Sequence, residues 1–278
     1  MKKVFLKSFL LTGLLITTGL NYSCSSDSDD KEDVQTEVLN LRVIAAVLDS
    51  DGNVLNVQDA KANTTQDYIT VDGGFKHRVL IEDFTGAWCG WCPRVSHSIE
   101  ELENSNNADI VAVALHNGDK LKFSPQEGNL SNNLWTKYGI ASEERGYPFA
   151  SLNRTAEWQA TSGNAMNKSQ VTALIKQSSK IGIKISSNLE ATSGKVNVSF
   201  KFSENYTGLK YVVYVVQDGI VLSQTNYTSN YNGEDKIKEF KHNAVTKATN
   251  DVLGSTIETS TSGSEFNSGD LNFTYKQF

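Results

Sequence analysis

Residues 81–94 read IEDFTGAWCGWCPR, and the order of residue types around them decides the fold. Upstream, residues 77–84 (HRVLIEDF) have the apolar content of a strand. Downstream, residues 93–104 place Val95, Ile99 and Leu102 four and three apart, the period of a helix. Cys89, Gly90, Trp91 and Cys92 stand between the two, so a cysteine pair follows a strand and opens a helix. At a helix N-terminus, free backbone N–H groups and the helix dipole stabilise a thiolate. A two-residue spacer lets the Cys92 sulfur reach that of Cys89 within disulfide geometry. Cys89 is expected to be the exposed nucleophile and Cys92, one turn into the helix, the resolving thiol.

A lone C-x-x-C pair is also half a zinc site. A structural zinc needs four ligands. The chain has 3 cysteines, and its 4 histidines (His77, His97, His116, His242) show no ligand spacing. Haem attachment would need a histidine after Cys92, where Pro93 stands. No metal or cofactor is expected. Asp83, six residues before Cys89, is expected beneath the pair as a buried carboxylate that accepts the Cys92 proton; its alternative is a surface acid beside Glu82. Pro148, in Gly146-Tyr147-Pro148, either is cis and packs against the cysteines, or is trans and opens an edge strand. In the cis case Tyr147 offers backbone groups to an extended peptide, beside Trp88 and Trp91. His116 ends a strand near the site, and His97 faces solvent on the opening helix.

Farther out, the pattern alternates strand and helix. Residues 109–116 (DIVAVALH) form an apolar strand of the kind buried on both faces. Residues 129–138 and 169–180 suggest helices, and residues 148–153 a strand. Before them, residues 41–48 (LRVIAAVL) and 54–57 flank the turn signal Asp49-Ser50-Asp51-Gly52-Asn53, which reads as a hairpin. We expect residues 41–48 to pair within the C-terminal sandwich rather than to extend the sheet of the region that holds the cysteines. From residue 181 onward the period changes to two: residues 181–186, 195–202 and 271–275 alternate, and residues 209–216 and 219–223 suggest a hairpin about Gln217-Asp218. The Ser/Thr/Gly-rich residues 255–269 suggest a long loop. The fold class is therefore an α/β domain over residues 76–180 and an all-β, immunoglobulin-like sandwich over residues 181–278, with residues 39–75 as hairpin and linker.

The N-terminus reads as an export signal over residues 1–23: Lys2 and Lys3, then a 13-residue apolar stretch too short to span a bilayer. Cys24 follows directly, as a lipidated cysteine would; the alternative is an ordinary signal cleaved near Ser23. Residues 24–38 are an acidic tether. The net charge of -6 and the lack of a basic cluster beyond the N-terminus exclude nucleic acid as a partner.

Residues 79–153 resemble the thioredoxin superfamily: Asp83-Phe84, Trp88-Cys89-Gly90-Trp91-Cys92 and Tyr147-Pro148 stand in its order. IEDFTGAWCGWCPR with an all-β C-terminal region is similar to Omp28-type outer-membrane lipoproteins of Bacteroidetes. The resemblance implies Cys89 and Cys92 as the redox pair, Asp83 as the buried acid and Pro148 as the cis-proline. It also implies an outer-membrane lipoprotein, facing the cell surface or the periplasm. Two functions follow as expectations. One is a lipid-anchored thiol–disulfide oxidoreductase acting on thiols or disulfides of exported proteins. The other is a surface binding module with a permanent Cys89–Cys92 disulfide. Neither the substrate nor the oligomeric state is legible.

Overall fold

A computed structural model of the protein describes residues 40–105, 109–123 and 126–278. The expected export signal, the tether and Cys24 lie outside them. In chain order the principal strands and helices are β1 (Leu41–Leu48), β2 (Val54–Lys61), β3 (Val79–Thr85), α1 (Pro93–Asn104), β4 (Ile110–His116), α2 (Gln126–Lys137), β5 (Phe149–Leu152), β6 (Ala156–Glu157) and α3 (Lys168–Leu174). They continue with β7 (Ile181–Leu189), β8 (Ser193–Phe202), β9 (Lys210–Gln217), β10 (Ile220–Thr225), β11 (Lys236–His242), β12 (Val245–Thr249), β13 (Glu265–Asn267) and β14 (Leu271–Thr274). The described residues are mostly β-sheet with few helices.

The main sheet runs β2-β1-β9-β12-β4-β3-β5-β6. β1 pairs antiparallel with β9 along its whole length, Leu41 opposite Gln217 and Leu48 opposite Lys210. The sheet then passes through β12 to β4 and β3, which are parallel. One sheet thus carries strands from both sides of residue 180. Alternation along β1 explains its central place. Val43, Ala45 and Val47 face one core with Val198 and Phe200 of β8, while Ile44, Ala46 and Leu48 face another with Leu130 and Leu134 of α2. Burying each valine, leucine or isoleucine among them contributes about 1.5–3 kcal/mol. The first core joins the main sheet face to face with the smaller sheet β13-β8-β7, which β14 and Thr65–Gln66 extend, giving a β-sandwich. A third core packs α1 and α3 on β3–β5.

Three expectations need correction. The hairpin about Gln217-Asp218 does not form, because both edges of β9 are taken by β1 and β12. Asp218 instead accepts from Arg42 and from the Ala244 N–H, and β10 leaves the sheet to pair with β11. The last helix stops at Leu174, because Ser179 exchanges backbone hydrogen bonds with Phe75. Residues 255–269 are not all loop: Ser255–Thr256 pair with β9 and β13 with β8.

Candidate functional site

β3 positions the cysteines. It lies between β4 and β5 and is buried at every residue, so its end is fixed on both sides. The chain then turns sharply: the Cys89 N–H donates to Gly86 O (2.9 Å) and the Cys92 N–H to Cys89 O (3.3 Å). A Cβ on Gly86 would lie 2.6 Å from Trp88 Nε1, so the turn requires glycine. Pro93 opens α1, where a missing N–H costs nothing. Cys92 is therefore the N-cap of α1 rather than a residue inside it, and Cys89 lies one tight turn earlier. The two form a disulfide with Cα atoms 5.4 Å apart.

Asp83 lies in β3 and is 3% exposed. Burial pushes its carboxyl up to about 8, and Oδ1 has no hydrogen-bond partner. Glu82 is not a surface neighbour: both faces of β3 are covered, and Glu82 is held by Arg154 and Tyr214. Behind Asp83 a cavity of about 290 Å³ is lined by Thr85, Glu100, Glu103, His116 and His242.

The β3–β5 register sets Phe84 opposite Phe149, which brings Tyr147-Pro148 to the cysteine end of the sheet. This peptide bond is cis. The Tyr147 hydroxyl donates to buried Glu127, which also receives the Asn117 amide. Burial and Glu127 push that hydroxyl above its ordinary range. Trp88 donates Nε1–H to Asn117 O and meets Tyr147 edge-on at 5.8 Å. Trp91, Arg94, Trp135, Tyr147, Pro148 and Glu157 border a cleft of about 400 Å³. Trp88 and Trp91 are among the largest exposed apolar side chains, at 50% and 42%.

Sequence reasoning placed His116 near the site but missed two parts of it, the Asp119 partner of His116 and the cover over the cysteines. His116 is buried and its Nδ1 lies 2.7 Å from Asp119 Oδ2, which also accepts the Ala87 N–H (2.7 Å). Burial raises Asp119, but these hydrogen bonds outweigh it and hold the carboxyl below its usual range. The spacing His116-x-x-Asp119 just past a strand was the available signal. His242 stacks edge-on against His116 at 5.1 Å, and burial pushes it down to about 4. His97 is half-buried against Tyr231 rather than open to solvent.

The second part is the β10–β11 ribbon. The Thr225 N–H donates to Ala87 O, the Tyr227 N–H to Gly90 O, and the Gln224 amide to Gly86 O and Cys89 O. Cys89 is consequently not exposed: it is 4% accessible, and Cys92 1%. No local pattern announces this cover, which comes from some 135 residues away. Among the described residues, no group of three or more His, Cys, Asp or Glu is placed to hold a metal, and no helix is long and apolar enough to cross a membrane.

Residues 135–276 match the family model described as outer membrane protein Omp28. The chain belongs to the Omp28 family. It is an outer membrane protein, and the matched span begins after the cysteine pair and includes Pro148 and the ribbon. No curated protein matches it. HBP35 of Porphyromonas gingivalis has a similar fold: TM-score 0.50, 20% identity, covering 74% of this chain and 67% of that one. A protein of Agrobacterium tumefaciens superposes with TM-score 0.40 and 15% identity, over 68% of this chain and 77% of that one.

Proposed function

We propose that this Omp28-family protein is a lipid-anchored thiol–disulfide oxidoreductase, built on a thioredoxin-like arrangement, that acts on exported proteins. Cys24 would carry the lipid. The observation that carries the reading is the convergence of three groups at one end of β3. They are the Cys89–Cys92 disulfide at the start of α1, the buried Asp83 with a free carboxyl oxygen, and the cis Tyr147–Pro148 peptide.

The chemistry follows from that arrangement. A substrate thiolate attacks the Cys89 sulfur, the Cys89–Cys92 bond breaks, and Cys92 leaves as a thiolate. Asp83, protonated near neutral pH, supplies the proton Cys92 takes up. A second substrate thiolate then attacks its own sulfur in the mixed disulfide. Cys89 leaves, protonates from solvent, and the substrate holds the new disulfide. Run backwards, Asp83 accepts the Cys92 proton and the pair reduces a substrate. The cleft beside Trp91 and Pro148 would seat the substrate chain, with Trp88, Trp91 and Tyr147 as its apolar contacts.

A second reading, a binding module with a permanent disulfide, draws on the burial of both cysteines under the ribbon. The test is trapping. With Cys92→Ser, exported proteins are expected to accumulate as mixed disulfides on Cys89, resolved by mass spectrometry. Their absence, against a Cys89→Ser control, favours the second reading.

A further inference from the structure

We propose that the β10–β11 ribbon is an access strap for the Cys89–Cys92 disulfide, with Tyr227 as the residue that bars thiols from its outer side. The inference concerns the same cysteine pair as the proposed exchange but does not require that exchange to be its biological role.

Three observations carry it. First, the strap grips the cysteine turn by its backbone. Four carbonyls of the turn, those of Gly86, Ala87, Cys89 and Gly90, accept from Gln224, Thr225 or Tyr227. Second, Gly90 does not sit in the left-handed region, so its backbone does not require glycine. Its requirement is packing: a Cβ there would lie 2.3 Å from the Tyr227 ring. The glycine between the cysteines is thus matched to the aromatic side chain laid over it. Third, that side chain is a cover and not a core element. Tyr227 is 61% exposed, lies over Gly90 and meets Trp91 edge-on at 5.9 Å, and the cysteines on either side of Gly90-Trp91 are 4% and 1% accessible. Farther along, Ser229 and Asn230 bind Asn164, and Tyr231 binds Glu100 of α1, so the strap is fastened beyond Tyr227 as well.

A thiolate must reach a sulfur to exchange with it, so a strap of this kind sets a rate, through the energy of its local opening. Trp91, which Tyr227 meets, also borders the cleft with Tyr147 and Pro148, so the strap lies beside that cleft. The residues at the strap thereby select which thiols react.

The test uses dithiothreitol on the oxidised protein. Its first thiolate breaks the S–S bond and releases one cysteine as a thiolate, which takes up a proton. Its second displaces the other cysteine, leaving cyclic oxidised dithiothreitol and two protein thiols. With Tyr227→Ala the rate constant is expected to rise about fivefold or more, with the thermal midpoint of the oxidised protein moving by less than about 2 °C. A smaller rise overturns the strap. This rate is independent of the equilibrium potential on which the exchange role depends. A fast variant with a deeply reducing potential would keep the strap and discard the role.

Discussion

A carboxyl buried without a full set of partners resists losing its proton, and Asp83 is such a group. Its folded value, about 8, lies above the unfolded value of about 3.9. Between those values the folded protein holds a proton that the unfolded chain has lost, so the contribution to stability is largest below about pH 4 and is lost as pH rises through about 8. Asp83→Asn keeps the shape and removes the titration. Relative to the parent, the variant is expected to gain stability from about pH 4 to pH 8, by on the order of 5 kcal/mol in all. Urea unfolding of the oxidised protein at pH 5 and pH 8 checks it; a constant difference would mean Asp83 is ionised throughout. In the reducing direction the same variant should slow release of the mixed disulfide by Cys92, since the Cys92 thiol loses its proton acceptor. Asp83 was legible in the sequence by its distance from Cys89. Its neighbour Glu82 was not, because alternation assumes one wet face and β3 has none.

At the scale of elements, Glu82 shows how strands far apart in sequence are locked together. Arg154 donates to both Glu82 oxygens, to the Tyr214 hydroxyl and to Val252 O, and Tyr214 in turn donates to Glu82. β3, the turn after β5, β9 and the loop after β12 all meet there. Buried pairs are worth little beside a well-packed apolar substitute, yet removing one partner strands the other. Arg154→Met is expected to cost about 3–5 kcal/mol in chemical denaturation, and Glu82→Met combined with it to recover a good part. Additive losses would argue that the two groups are not coupled. The elements from β3 to β5 were readable because their signals are local: an apolar run, a four-and-three spacing, a proline before a strand. The course of β10 was not, since it depends on which strands reach the edges of β9 first, and both come from elsewhere in the chain.

Across the whole molecule, the main sheet joins what the sequence divides by period. β1, from before the cysteines, and β9 and β12, from the β-rich end, carry the sheet to β4 and β3. That continuity delivers the β10–β11 ribbon to the mouth of the site and buries a cysteine expected to be open. An outer membrane protein of the Omp28 family thus presents a Cys89–Cys92 disulfide that its own C-terminal half covers. Such a site belongs either to a guarded exchanger or to a permanent staple, and the two differ in one equilibrium property. The deciding measurement is the reduction potential of Cys89–Cys92, by titration against glutathione or dithiothreitol read through Trp88 and Trp91 fluorescence. Cys89→Ser serves as the control. A value of roughly -120 to -270 mV is expected for a thiol–disulfide exchanger. A value below about -300 mV would contradict that role and make the pair a structural disulfide.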